Sequence, residues 1–246
     1  MKPFILLFTM LIVVPAFGQV KFHTDVTSLP DGMHELTING KNCRGQVLKG
    51  LQNGNWISFF ESGQLHILQN FNQGKLDGLY VELDKNGFIT LQAYFWNDVL
   101  NGQLLRFRTG GRVTMEENYK KGVLHGSKKT YYDRGQLQED AQFSNGKKEG
   151  PSYWFDEEGK RMATYHYKLG LFEGQQFTYY PSGGLKSEQN YVANVKDGKY
   201  ADYFENGNHR TEGSYKNDKK DGIWKEFDEK GMLIHQTTFQ MGEIIR

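Results

Sequence analysis

Histidine, cysteine and paired carboxylates are the side chains of this chain that could bind a metal ion or transfer a proton. None of the seven histidines forms an H-x-H, an H-E-x-x-H or a Cys/His metal spacing, and the chain has one cysteine, Cys43. The acidic pairs Glu116-Glu117 and Glu157-Glu158 fit a solvated face better than a glycosidase site. We therefore predict that the chain is not an enzyme and has no catalytic, metal-binding or cofactor-binding residue. The histidines are His23, His34, His66, His125, His166, His209 and His235.

Four aromatic residues are the candidates for contact with a ligand: Trp56, Tyr80, Tyr200 and Trp224. Each stands two places after a glycine that recurs every 24 residues, and aromatic faces can stack on sugars. A groove that used these rings would be confined to the two ends of the chain, because the middle positions of the series are not aromatic. Those positions hold Leu104, Lys128, Ser152 and Gln176.

Two glycine series with the same period of 24 residues run through the chain without an insertion or a deletion. A fixed period in this range indicates a repeat architecture in which each unit contacts mainly its neighbours. The leading series is Gly54, Gly78, Gly102, Gly126, Gly150, Gly174, Gly198 and Gly222. The internal series is Gly63, Gly87, Gly111, Gly135, Gly159, Gly183, Gly207 and Gly231.

Each unit has the pattern of a β-hairpin, because two short segments with alternating apolar and polar residues are separated by turn residues. The second segment of every unit ends in an aromatic residue. The residue two places after the internal glycine, such as Leu65, lies six places before that aromatic, so the alternation predicts that both face the same side. The terminal aromatics are Phe71, Phe95, Tyr119, Phe143, Tyr167, Tyr191, Tyr215 and Phe239.

The turn residues support the same interpretation. The internal glycine suits a type I turn that ends in the left-handed region. Twenty places after each leading glycine the chain has only Gly, Asn or Asp, which tolerate a positive φ. Asn or Asp also precedes five leading glycines, and such dipeptides are typical of hairpin turns. The residues of the second turn are Gly74, Asp98, Gly122, Gly146, Gly170, Asn194, Asp218 and Gly242.

The predicted fold is all-β: an elongated, twisted, single-layer antiparallel sheet of tandem hairpins. Eight units occupy residues 53–244, and residues 19–52 form a degenerate repeat that caps the first edge. We expect the other edge, after Ile244, to be open to a partner or to a second copy. A propeller is less favoured, because its blades usually need about 40–50 residues each.

The first 18 residues have the pattern of a signal peptide. Lys2 is followed by the apolar run Phe4–Val14, and small residues precede a cut after Gly18. The alternative is an uncleaved anchor. Cleavage would remove only Lys2 from the charged residues, leaving 29 of the 30 Lys and Arg against 29 Asp and Glu. This balance argues against nucleic acid as a partner.

The pattern G-x-W/Y-x-x-F/Y-x-x-x-G-x-L resembles the MORN-repeat-variant family, which includes YwqK-like antitoxin proteins. Residues 53–65 and 221–233 carry it well. The resemblance implies a non-catalytic scaffold that contacts other molecules. With the leader, it predicts an exported scaffold in the cell envelope, periplasmic or extracellular, that binds an unidentified protein. The alternatives are a module that binds glycans or the cell wall, and a peripheral protein that binds membrane lipids through its lysine pairs.

Overall fold

The computed structural model of the chain describes residues 25–38 and 40–245. In this part of the chain 21 strands form one open antiparallel sheet, and no helix is present. The predicted leader at residues 1–18 lies outside the described residues.

The strands follow one another closely along the chain. The first ten are β1 (Gly32–Ile38), β2 (Lys41–Leu48), β3 (Leu51–Phe59), β4 (Leu65–Asn72), β5 (Lys75–Leu83), β6 (Ile89–Trp96), β7 (Val99–Arg108), β8 (Arg112–Lys120), β9 (Val123–Tyr131) and β10 (Leu137–Ser144). The next six are β11 (Lys147–Phe155), β12 (Arg161–Lys168), β13 (Leu171–Phe172), β14 (Gly174–Tyr179), β15 (Leu185–Val192) and β16 (Val195–Tyr203). The last five are β17 (His209–Lys216), β18 (Lys219–Lys220), β19 (Gly222–Phe227), β20 (Leu233–Gln240) and β21 (Glu243–Ile244).

The sheet is a meander, since strands that are consecutive in sequence pair side by side and antiparallel. The short strands β13 and β14 together pair with β12, and β18 and β19 together pair with β17. The predicted all-β sheet of tandem hairpins is confirmed. Strands β1 and β2 pair antiparallel, and β2 pairs with β3, the first strand of the regular units.

The two kinds of turn alternate along the sheet. At the internal glycine, the Gly63 amide donates a hydrogen bond of 2.9 Å to the Phe60 carbonyl, and its φ is 86°. At the second turn both central residues have a positive φ, 50° for Gln73 and 76° for Gly74. Two such residues make a type I′ turn, whose twist matches that of the flanking strands. A positive φ was predicted for the Gly, Asn or Asp residue of this turn, such as Gly74. It was not predicted for the residue before it, such as Gln73.

The leading glycines are not turn residues, which corrects the prediction made from the Asn-Gly and Asp-Gly dipeptides. Gln69 pairs with Tyr80 and Phe71 pairs with Leu76, so a single residue of β4 lies opposite three residues of β5. Gly78 is the middle one of these three and therefore lies in a bulge inside β5, with a φ of 110°. The acidic or amide residue before the glycine has another role. The Asn101 side chain accepts a hydrogen bond of 3.0 Å from the amide of Lys121 in the next turn.

A second bulge shows that the predicted assignment of Leu65 and Phe71 to the same face was wrong. In β12 the register shifts between Ala163 and Arg161, so one extra residue changes the alternation. The Arg161 guanidinium lies 4.8 Å from the Tyr153 ring, whereas the Lys148 ammonium lies 4.9 Å from the Tyr167 ring. Tyr153 and Tyr167 lie on opposite faces of the sheet. Arg161 is the equivalent of Leu65 in its unit, and Tyr167 is the equivalent of Phe71. The residues equivalent to Leu65 and the terminal aromatics therefore face opposite sides.

Candidate functional site

One column of residues crosses one face of the sheet, which we call the buried face. Its members are Cα partners from strand to strand, except at β12–β14 and β17–β19, where the paired ladder is shorter. A continuous column gives each side chain a neighbour on both sides, which is the unit of stabilisation in a sheet. The members are Trp56, Gln69, Tyr80, Ala93, Leu104, Glu117, Lys128, Ala141, Ser152, Tyr165, Gln176, Gln189, Tyr200, Gly213, Trp224 and Thr237.

The four predicted ligand-contact aromatics all belong to this column, and burial corrects the assignment of three of them. Trp56, Tyr80 and Trp224 are only 3%, 1% and 4% exposed. Tyr200 is half-buried and stacks on Trp224 with 5.5 Å between ring centroids. The three buried rings, Trp56, Tyr80 and Trp224, have no free face for a sugar.

The polar groups of these rings are occupied as well. The Trp56 indole N–H donates to the Gln46 carbonyl at 3.0 Å, and the Trp224 indole N–H donates to the Ser214 carbonyl at 3.1 Å. Burial, followed by the nearby charge of Asp202, raises the pKa of Tyr200 to about 12. Trp56 and Tyr80 therefore belong to the main hydrophobic core, whose buried residues extend from Val26 to Leu104, whereas Tyr200 and Trp224 pack against each other near the other end of the sheet.

The middle of the buried face replaces apolar packing with ion pairs. The Lys128 ammonium lies 2.9 Å from the buried Glu117 carboxylate, which also accepts a hydrogen bond of 3.0 Å from Tyr119. Glu139 forms an ion pair with Lys148 and accepts a hydrogen bond from a buried serine side chain. Both carboxylates are held by fixed donors from neighbouring strands, an arrangement that positions the strands relative to each other.

The histidines of the described residues are dispersed over the sheet. His66 lies beside the Lys41 ammonium at 3.1 Å and against the Phe60 ring at 4.2 Å. Burial, and then the charge of Lys41, lower the pKa of His66. Within residues 25–38 and 40–245, no three His, Cys, Asp or Glu side chains are grouped so that they could hold a metal ion.

The opposite face, which we call the open face, has a second column offset by one residue from the first. Its members in the early units are Ile57, Leu68, Val81, Gln92 and Leu105. All five are only half-buried. The open-face patch, as we name it, consists of the four apolar members with Phe59, Leu83 and Phe107 beside them.

The composition of the open face changes beyond Leu105. The next members of the same column are Glu116, Lys129 and Asp140. Glu116 accepts a hydrogen bond of 2.7 Å from Tyr131, and Lys129 lies 3.9 Å from Asp140. The apolar surface is therefore limited to one part of the sheet and has a charged boundary.

No described element packs across the open-face patch, because the extensive strand contacts join neighbours within the sheet. Sequence reasoning missed this patch. The signal was present in the position three places after each leading glycine, which is Ile57, Val81 and Leu105 and then becomes Lys129. It could have been found by separating the columns according to face, but the bulges hide the faces in the sequence.

The described residues contain no helix long and apolar enough to cross a membrane. Comparison with curated proteins finds no match. Comparison with protein families matches the family described as MORN repeat variant six times, over more than half of the chain. The matched residues are 52–73, 124–145, 148–169, 172–193, 196–217 and 220–241. These matches agree in phase with the observed hairpins, and repeats of this family are generally non-catalytic and commonly contact proteins or lipids. The chain belongs to the MORN repeat variant family.

Proposed function

We propose that this protein is an exported scaffold of the cell envelope that binds another protein through the open-face patch. The observation that carries the proposal is a largely apolar sheet face that no described element covers, with Gln92 as the one polar member of the column between Val81 and Leu105. A sheet normally buries its apolar face against a second layer. A contiguous apolar surface with a polar boundary is typical of an interaction site.

The energetics favour a protein over a small ligand. The patch is a broad, shallow surface made of half-buried side chains, whereas sites for small molecules are concave and enclose most of their ligand. Covering the remaining exposed apolar area contributes about 25 cal/mol per Å². A flat apolar sheet face therefore gains most from a partner that covers several strands together.

Export is the second part of the proposal, and it is supported by the leader pattern at residues 1–18. Cleavage after Gly18 would leave Gln19 as the first residue of the mature chain. Mass spectrometry of the protein recovered from its own cells tests this directly. A chain recovered with Met1, or recovered only from the cytoplasm, would contradict export without affecting the protein-binding proposal.

The binding test uses lysine substitutions in the patch. Val81 and Leu105 occupy a column in which Lys129 and Lys225 already stand, so lysine is compatible with the sheet at this position. We expect the wild-type chain to enrich a specific protein from envelope extracts. The double variant Val81→Lys, Leu105→Lys is expected to lose that protein.

Phe177→Lys is the matched control, because Phe177 belongs to the same column but lies outside the patch. Once identified, the partner is purified and its dissociation constant is measured with the three chains. Equal affinity for the wild-type chain and the double variant would exclude the patch as the binding site.

A second candidate function is peripheral binding to lipid or glycan, and the exposed Trp96 favours it. This indole is 57% exposed and lines one shallow surface pocket with Val99 and Lys121. Trp next to lysine is common where proteins touch membrane interfaces. Cosedimentation with anionic vesicles, and separately with purified cell wall, tests this candidate. Trp96→Ala should abolish any pelleting that depends on this site.

A further inference from the structure

One position of the open face differs from its equivalents in all the other units. The residue three places after the leading glycine is Ala201 in the seventh unit, and it has a larger side chain in the other seven. Ala201 lies between Glu188 of β15 and Glu212 of β17, which are its Cα partners on the two sides. Its small side chain leaves a notch in the open-face column between two carboxylates. The other residues of the series are Ile57, Val81, Leu105, Lys129, Tyr153, Phe177 and Lys225.

The notch is the floor of a shallow cavity of about 430 Å³. Ala201 itself is only 5% exposed, because taller side chains stand around it. Glu188 and Glu212 line the cavity, and so does Ile223, whose side chain is 53% exposed. The cavity therefore has carboxylates on both sides of its floor and one apolar wall.

The same chain shows which side chain fits between two such carboxylates. Three units earlier, Glu116 and Asp140 occupy the equivalent positions, and the residue between them is Lys129. The Lys129 ammonium lies 3.9 Å from the Asp140 carboxylate, and the Tyr131 hydroxyl donates a hydrogen bond of 2.7 Å to Glu116. The repeat thus places a lysine between two open-face carboxylates, one of which is held by a tyrosine.

Around Ala201 the same arrangement lacks its central cation. Tyr203, in the equivalent tyrosine position, donates a hydrogen bond of 2.9 Å to the Glu188 carboxylate. Glu212 is paired on its other side, where the Lys225 ammonium lies 3.0 Å away. Among the described residues, no cation lies within ion-pair distance of Glu188. This glutamate is therefore oriented by a fixed donor but has no opposite charge.

We propose that the notch at Ala201 binds the ammonium group of a lysine side chain from a partner protein. The ammonium lies between Glu188 and Glu212, in the place that Lys129 takes in its own unit, and supplies the cation that Glu188 lacks. Its aliphatic stem lies over Ala201 and against Ile223, as lysine stems commonly do on apolar surfaces. Hydrogen bonds between an ammonium and a carboxylate are about twice as strong as neutral ones, which favours a charged ligand.

The shape and the surroundings of the notch select a side chain presented by a protein. The cavity is shallow and accommodates the end of a side chain, whereas sites for whole small molecules enclose most of their ligand. Lysine occupies two of the eight positions in this series and arginine none, so the repeat itself is adapted to an ammonium. His209 lies 3.5 Å from the Glu212 carboxylate, and the exposed Lys199 lines the cavity without an ion pair to either glutamate in the described chain.

The first test is an NMR titration of the full mature chain with Nα-acetyl-lysine methylamide. We expect saturable shifts of the backbone amide signals of Glu188, Ala201 and Glu212. The Nε-acetylated form of the same compound keeps the stem but loses the charge, and it should not produce these shifts. A wild-type chain that shows no saturable shift at these residues with the charged compound excludes the proposal.

Two variants test the charges of the notch. Glu188→Gln removes the charge of the carboxylate that has no cation, and Ala201→Lys fills the notch with an ammonium of the chain itself, as Lys129 does. Each should weaken binding by at least about tenfold. Glu116→Gln is the matched control, because Glu116 has the same position and the same kind of tyrosine donor but already has its lysine. It should leave the affinity unchanged. Unchanged affinity with Glu188→Gln, or an equal loss with both glutamine variants, would overturn the proposal.

A further titration with n-butylamine distinguishes a lysine side chain from a small free amine. Tighter binding of butylamine than of the lysine compound would overturn the assignment to a protein lysine. The notch lies between β15 and β19, whereas the open-face patch lies between β3 and β7, so the two are separate surfaces. Failure of the notch therefore leaves the partner assay with Val81→Lys, Leu105→Lys unaffected, and failure of that assay leaves the titration unaffected.

Discussion

The indole of Trp224 occupies the space that a side chain on Gly213 would need. A Cβ atom added to Gly213 would lie 2.3 Å from Cδ2 of Trp224. The same relationship recurs at the other end of the sheet, where a Cβ on Gly45 would lie 2.1 Å from Cδ2 of Trp56. Glycine in these strands therefore makes room for a ring from the neighbouring strand, a close approach that β-strand glycines often serve.

The first prediction concerns this glycine. Gly213→Ala should lower the free energy of unfolding by about 1–3 kcal/mol, the usual cost of overpacking a core. The chain itself supplies the compensation, because Ala93 and Leu104 are the equivalent pair in an earlier unit. Gly213→Ala with Trp224→Leu should therefore cost less than the sum of the two single changes, as measured by urea denaturation. Strict additivity would show that the two residues are not coupled.

The second prediction concerns the buried ion pair. Lys128→Met leaves the Glu117 carboxylate buried without its cation and should cost about 3 kcal/mol of folding free energy. The double variant Glu117→Ala, Lys128→Leu recreates the Ala93–Leu104 pair and should recover stability to within about 1 kcal/mol of the wild type. Chemical denaturation of the three chains distinguishes these cases. A single variant as stable as the wild type would mean that solvent reaches the carboxylate.

The 24-residue period was sufficient to predict the strands, the meander and the second-turn column. The constant repeat length was enough for this, because every unit has 24 residues and the strands of one hairpin predict those of the others. The faces could not be predicted, since each bulge changes the alternation by one residue and its position depends on pairing with another strand. Leu65 was placed on the wrong face for this reason, and Gly78 was placed at a turn.

The burial of three of the four predicted ligand-contact aromatics could not be predicted for a related reason. A recurring Trp or Tyr at one position is compatible with a binding surface and with a core, and the sequence does not show which neighbours cover it. Trp56 is covered because its strand neighbour is Gly45, eleven residues earlier. The open-face patch was missed because its members are ordinary β-forming residues, such as Val81, whose exposure depends on the absence of a second layer.

The third prediction concerns backbone strain in a type I′ turn. Leu169 has a φ of 53°, whereas the equivalent positions in other units include Asn97, Asn145 and Asn217. The left-handed region costs most residues about 1 kcal/mol, and asparagine tolerates it. Leu169→Asn should therefore raise the unfolding free energy by about that amount, measured by urea denaturation. Asn145→Leu should lower it similarly, and a gain in stability from this reverse change would exclude strain as the cause.

The fourth prediction concerns alkaline unfolding. Burial, followed by the hydrogen bond to Glu82, raises the pKa of Tyr80 above its ordinary value of 10.0. Burial also raises the pKa of Tyr119 and Tyr167. A raised folded-state pKa means that the neutral form is favoured on folding, so this stability is complete below about pH 10 and is lost as the pH rises further. Tyr80→Phe removes one such group and should make the thermal midpoint fall less steeply between about pH 9 and pH 11. Tyr94→Phe, a change at an exposed ring, is the control and should keep the wild-type slope. If Tyr80→Phe also keeps that slope, ionisation of Tyr80 does not drive the alkaline transition.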